Sequence, residues 1–260
     1  MALLPLKDDN DIINIKYQYI TLLIIISCIL TFFWQISFGE EQRKLIYGLG
    51  VIPSVLFGAR DLSPNLIIIP EFLTIFTSLF LHGGWMHLIF NMLFLWVFGD
   101  NIEDSMGHLR FIVFYFLCGS IATLTHAFVE YSSNSPLIGA SGAISGILGA
   151  YLVIHPKARV LVLFMNIIPL RLPAIIVLGF WIGLQFLSLG NESRTAWWAH
   201  IGGFLAGMIL IIPFRKKQIP LLNPKDTLNH AKTIVTSFKK APSIIPLTKK
   251  TKKSYKKDIT

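Results

Sequence analysis

Long stretches of this chain carry no charged residue. Six of them are long: 17–39, 72–99, 111–129, 131–156, 172–191 and 195–214. A helix needs about 20 apolar residues to cross the hydrocarbon core of a bilayer. The pattern therefore predicts six membrane-spanning helices, and only part of the longer second and fourth runs should lie in the membrane. Two shorter apolar stretches, 45–59 and 160–170, contain proline and read as interfacial or re-entrant pieces. Residues 40–83, with Pro53, Pro64 and Pro70, predict a long loop between the first two spans. The leader of the first run holds Asp8, Asp9 and Asp11, so the run reads as a retained span rather than a cleaved signal. The expected fold class is an all-α membrane protein. Residues 1–16 form an N-terminal segment, 17–214 the membrane domain and 215–260 a tail.

Composition agrees. Charged residues are 14% of the 260-residue chain and apolar ones 53%, against about 25% charged in ordinary soluble domains. Net charge is +9, but residues 215–260 hold 13 Lys/Arg and two acids. The basic balance thus describes a tail suited to anionic lipid, not a nucleic-acid-binding domain. That tail lacks apolar periodicity and reads as disordered. With six spans both termini share a side, which would hold 19 of the 23 Lys/Arg. The positive-inside rule makes both termini cytoplasmic in a multi-pass protein of the cell (inner, cytoplasmic) membrane. Cys28 and Cys118 sit in apolar runs and read as small core residues.

Polar groups inside the spans are the informative ones. No apolar run contains Asp or Glu, but His82, His87 and His200 lie well inside them. The fourth run carries Gly139-Ala140-Ser141-Gly142, and the sixth Ala199-His200-Ile201-Gly202-Gly203 with Gly207 beyond. One reading of the glycines is close helix packing, through small residues three or four apart. The other makes Ser141 a nucleophile at a helix N-terminus, with His200 brought against it as general base. His87 and Asn91 are four apart in the second run, on one helix face, and both can donate hydrogen bonds. In the expected topology all of these fall at one level of the bilayer, in the outer part of spans two, four and six.

Taken together, Gly139-Ala140-Ser141-Gly142, His200-x-x-Gly203-x-x-x-Gly207, His87-x-x-x-Asn91 and Gly99-Asp100-Asn101-Ile102-Glu103-Asp104-x-x-Gly107 resemble the rhomboid intramembrane serine proteases, over roughly residues 70–210. The resemblance implies a six-helix bundle with a long outside loop between helices 1 and 2. It implies a Ser141–His200 dyad without an aspartate, and an oxyanion hole lined by His87 and Asn91. It implies helix packing at Gly139, Gly142, Gly203 and Gly207, and a substrate gate at Phe90, Phe180 and Trp181. Expected partners are transmembrane protein substrates and lipid, with no nucleic acid, metal or cofactor. Two departures stand out. Residues 71–74 lack the Trp-Arg pair that many members carry, which puts the loop anchor in question. Ser145 stands where some members stack an aromatic ring on the histidine. The alternative function is a catalytically silent relative that binds membrane helices. Inverted repeats, intramembrane aspartate pairs and an H-E-x-x-H zinc motif are all absent from the sequence, which disfavours transporters and other membrane proteases.

Overall fold

The computed structural model describes residues 3–165, 167–189 and 195–222; Arg194 and most of the basic tail, from 223 onward, lie outside the described residues. Each of the six apolar runs corresponds to one bundle helix. These are α1 (Tyr19–Ser37), α2 (Trp85–Met106), α3 (His108–Val129), α4 (Ser141–Ile154), α5 (Ala174–Leu187) and α6 (Trp197–Phe214). Helices α1, α3 and α6 are long and apolar enough to span a bilayer alone. Helix α2 qualifies together with residues 64–80, from which it bends by 78°. Helices α4 and α5 have 14 residues each, roughly 21 Å of rise. The protein is an all-α membrane bundle with a small sheet added at one end.

Helix α4 is central and buried along nearly its whole length. Its Gly, Ala and Ser residues leave room for neighbours on every side, which suits a helix that is apolar all round. The closest approach is to α6. A Cβ placed on Gly203 would collide with the carbonyl oxygen of Gly142, and one on Gly207 with that of Gly146. The backbones of α4 and α6 therefore touch directly, through three of the four glycines expected to serve packing. The fourth, Gly139, precedes the helix and has another role described below. Exposed apolar side chains lie on every helix but α4, for example Leu30, Trp96, Leu109, Ile175 and Ile209.

Helix α2 differs from the expected 72–99 boundary. It starts only after Gly83-Gly84, and it continues through the acidic segment to Met106. The extension is possible because its carboxylates find donors. Glu103 is fully buried and accepts hydrogen bonds from Ile20 N (3.0 Å), Thr21 N (2.8 Å) and Thr21 Oγ1 (2.7 Å). Helix α1 has no capping side chain of its own, so Glu103 acts as its N-cap from another helix. Asp104 accepts from Ile15 N (2.8 Å) and Asn14 Nδ2 (2.8 Å). Lys216 closes the C-terminus of α2, its amide donating to Ser105 O and its ammonium to Asp104 O.

The stretches 1–16 and 160–170 hold a surprise. Strands β1 (Leu3–Asp8), β2 (Arg159–Phe164) and β3 (Ile168–Pro173) form an antiparallel sheet in the order β1-β2-β3. Residues 160–170, expected as an interfacial or re-entrant piece, thus belong to a hairpin, whose exposed apolar tip fits the interfacial alternative. Pro169 and Pro173 lie on β3, an edge strand, where a missing N–H costs no ladder bond. The partner β1 comes from far away in sequence, with Leu3 opposite Phe164 and Asp8 opposite Val160. Buried Asp8 accepts from Tyr151 Oη (2.6 Å) and Asn101 Nδ2 (2.8 Å), tying the strand to α4 and α2.

Gly207→Ala should force α4 and α6 apart. Overpacking of this kind costs about 1–3 kcal/mol, read as a lower thermal midpoint in detergent. A second expectation concerns pH. Burial pushes the Asp8 carboxyl up from 3.8 to about 7; the Tyr151 hydroxyl opposes the shift and nearby Asp100 adds to it. The folded state then holds a proton that the unfolded chain releases near pH 4. Its contribution to stability is full below that and lost as pH rises through about 7. Between pH 5 and 8 the thermal midpoint of Asp8→Asn should fall less than that of the parent protein.

Candidate active site

At the end of the bundle remote from the sheet, α2, α4 and α6 all begin, and α1 and α5 end. The loop leading into α4 is pinned at several points. Val51 and Leu137 exchange backbone hydrogen bonds at 3.1 and 2.7 Å, Ser54 Oγ donates to Asn134 (2.9 Å), and Gly139 N donates to Ser78 O (2.8 Å). Thr77 Oγ1 reaches back to Leu49 O (2.7 Å). Through Val51, Ser54 and Ser78 the same bonds also fasten the long loop before α2, whose residues 71–74 lack the Trp-Arg pair. Gln35 of α1 grips the backbone of His82, donating to its carbonyl at 2.8 Å and accepting from its amide at 3.2 Å. His82 ends the loop and serves as an anchor.

Helix α4 starts at Ser141, and no side chain caps it. Its first N–H groups have no partner within the helix, and its positive dipole end surrounds the serine. The Ser141 hydroxyl lies 2.9 Å from His200 Nε2. This is hydrogen-bond contact between a hydroxyl and a potential base, and the α4–α6 glycine contact one to seven residues further along makes it reachable.

The other imidazole nitrogen, His200 Nδ1, lies 2.7 Å from Gln185 Oε1 of α5. Gln185 is buried, and its Nε2 donates to Trp181 O at 3.0 Å. The Trp181 and Trp197 rings flank the imidazole, with centroids 5.8 and 6.2 Å away. Ser145 does not reach the histidine; its hydroxyl donates to Ser141 O (2.7 Å). Support for the imidazole therefore comes from α5. Gln185 is not among the site residues that the sequence motifs single out. An amide in the otherwise apolar 172–187 segment was the available signal.

His87 and Asn91 share a face of α2 and converge on Gly139. That glycine has φ +121°, and a Cβ built on it would lie 2.7 Å from the His87 ring and 3.8 Å from Asn91 Nδ2. Gly139 thus makes room for a histidine, not for a helix backbone. His87 Nδ1 accepts from Gly83 N (3.3 Å), which leaves its Nε2 as the donor. Asn91 Nδ2 is buried and makes no hydrogen bond among the described residues. Such a group is costly unless something accepts from it. Two donors from α2 and the free N–H groups of α4 can together hold an oxygen carrying negative charge.

These groups line one cavity of about 850 Å³. Phe90 of α2 and Phe180 and Trp181 of α5 line it as well. Leu3 of β1 also reaches its wall. The three expected gate positions therefore fall on α2 and α5, two of the helices that line the cavity. Phe180 is exposed, whereas Trp181 is partly buried against Phe94 (6.5 Å between ring centroids).

Residues 70–217 match the rhomboid domain model. This chain belongs to the rhomboid family. The rhomboid is 31% identical over 200 residues to Rhomboid protease GluP of Bacillus subtilis (strain 168), covering 77% of this chain and 36% of that one. It is 30% identical over 192 residues to RHOMBOID-like protein 5 of Arabidopsis thaliana, covering 74% and 59%. It is 27% identical over 194 residues to Rhomboid protein 1, mitochondrial, of Saccharomyces cerevisiae, covering 66% and 54%. The match thus spans between about a third and three-fifths of these relatives' lengths. As a rhomboid with several apolar helices, the chain is a multi-pass membrane protein of an intramembrane protease family.

Gly139→Ala should lower the thermal midpoint of this rhomboid, because a side chain is strained at φ +121° and strikes His87. Such strain costs about 1–3 kcal/mol. Gly179→Ala is the control. A Cβ there meets no neighbour, so stability should hold or rise.

Proposed function

We propose that this rhomboid is an intramembrane serine endopeptidase with Ser141 as nucleophile and His200 as general base. One observation carries the reading: the 2.9 Å hydrogen bond between Ser141 Oγ and His200 Nε2, inside a cavity of a membrane bundle. A hydroxyl gripped by an imidazole at a free helix N-terminus is set up for acyl transfer.

In the proposed reaction Ser141 Oγ attacks a peptide carbonyl as its proton passes to His200 Nε2. The carbonyl oxygen becomes an oxyanion, held by Asn91 Nδ2, His87 Nε2 and the Ser141 N–H. Collapse breaks the C–N bond, and His200 returns the proton to the leaving amine. Water then attacks the acyl-enzyme with His200 again as base, releasing the acid and restoring the serine.

The substrate in this reading is a transmembrane helix of another membrane protein. A regular helix hides its carbonyls in i→i−4 hydrogen bonds, so the scissile segment must be unwound. It would enter between α2 and α5, past Phe90, Phe180 and Trp181. Charge supports placing both termini in the cytoplasm and the dyad near the outer face of the cell membrane. The basic tail would then face anionic lipid at the inner surface.

The test is cleavage of a reporter transmembrane substrate by purified protein in detergent. Ser141→Ala and His200→Ala should each abolish product while the protein stays inserted and folded. The double variant should be no worse than either single one, because the two groups act as one unit. Near-parental turnover by either variant would dismiss the dyad and favour a helix-binding rhomboid without chemistry.

A further inference from the structure

We infer that Gln185 is a positioning residue for the proposed base, holding His200 in the one tautomer that can accept the Ser141 proton. The inference rests on the dyad reading above. It begins from a carbonyl oxygen that can only accept. Trp181 O takes a hydrogen bond from the Gln185 side chain at 3.0 Å, so the donor must be Nε2. That fixes which way the amide points. Oε1 then faces His200 Nδ1 at 2.7 Å. An amide oxygen also only accepts, so Nδ1 must carry the hydrogen. The lone pair is left on Nε2, where it faces the Ser141 hydroxyl at 2.9 Å.

The opposite tautomer would set two lone pairs against each other at 2.7 Å in a buried site. Gln185 is only 5% exposed, so water cannot readily relieve that repulsion. The same amide oxygen serves the reaction a second time. When His200 takes the serine proton, Nδ1–H becomes part of a cation, and a hydrogen bond from a charged donor is stronger than one from a neutral donor. In soluble serine hydrolases an aspartate fills this place. A neutral amide orients the ring without a charge at membrane depth, where an unpaired carboxylate is costly.

The geometry also makes the base depend on α5. Trp181 and Gln185 are one turn apart on that helix, and both line the cavity. The group that sets the tautomer therefore rides on the helix that borders the proposed entry path.

The experiment compares Gln185→Leu and Gln185→Glu with the parent and with Ser141→Ala. It measures kcat and KM on the transmembrane reporter, the rate and end-point stoichiometry of labelling by a fluorophosphonate, and the thermal midpoint. In Gln185→Leu, kcat and labelling rate should both fall roughly 10- to 100-fold, the range for losing one hydrogen bond to an ion. KM and the number of sites labelled at the end point should stay unchanged. Gln185→Glu keeps an acceptor in place and should retain most of kcat near neutral pH. A merely structural amide would instead reduce the labelled fraction and the thermal midpoint, leaving kcat per labelled site intact. That outcome overturns the inference, as does an equal loss of kcat in both Gln185 variants with sites and midpoint unchanged. If Gln185→Leu does not fold, Gln185→Met, which keeps the chain length, decides by the same criteria. Activity in Ser141→Ala would dismiss the dyad itself. Loss there together with full kcat in Gln185→Leu would dismiss only the role of Gln185.

Discussion

The arrangement depends on how closely two helix backbones can approach. Helices α4 and α6 meet with no side chain between them at Gly142–Gly203 and Gly146–Gly207. A Cβ added at Gly203 or Gly207 would push the pair apart, and Ser141 and His200 sit at the ends those glycines bring together. In lipid there is little hydrophobic force between helices, so van der Waals contact and hydrogen bonds must hold them. Small residues serve both needs. They allow dense packing, and they let short polar side chains touch across the seam.

The opposite end of the bundle solves a different problem. It buries carboxylates, and each one is met by donors. Glu103 caps α1, Asp104 receives the chain ahead of α1, and Asp8 is clasped by Tyr151 and Asn101. Isolated, such groups would be strongly destabilising. Matched, they tie the N-terminal segment, α1, α2 and α4 into one unit. The site end can then carry an unmatched donor such as Asn91 Nδ2 while the far end keeps the helices in register.

Much of this was legible in the sequence, because the relevant signals are local. Uncharged runs mark the helices, and the glycine spacing marks the α4–α6 seam. Serine, histidine and asparagine inside apolar runs mark the cavity. What escaped were features made by distant partners. The β1 strand pairs with a hairpin more than 150 residues away, and neither piece alternates strongly enough to declare itself. The continuation of α2 through Glu103 and Asp104 drew on donors that the folded N-terminal segment and the start of α1 supply. Gln185 was missed because no motif spacing ties it to His200; its role depends on a carbonyl one turn earlier and on the approach of α5 to α6. Gly139 looks like a packing glycine by spacing, but its backbone angle and the His87 ring give it a different task.

The short helices have a consequence for the lipid around them. Helix α5 rises roughly 21 Å over its 14 residues, while the hydrocarbon core is about 30 Å thick. Its outward residues Ile175, Ile176, Phe180, Leu184 and Leu187 are exposed to the bilayer. Along this flank the hydrophobic belt is short, unless the apolar hairpin tip at Phe164, Met165, Ile167 and Ile168, also exposed, extends it. Where the belt is short, hydrophobic mismatch makes the bilayer thin to meet the protein. A full-length helix drifting into that thinned annulus would find its ends pressed toward water before it touched the protein. Membrane thickness would then act on encounter at the α5 flank, apart from any chemistry at Ser141.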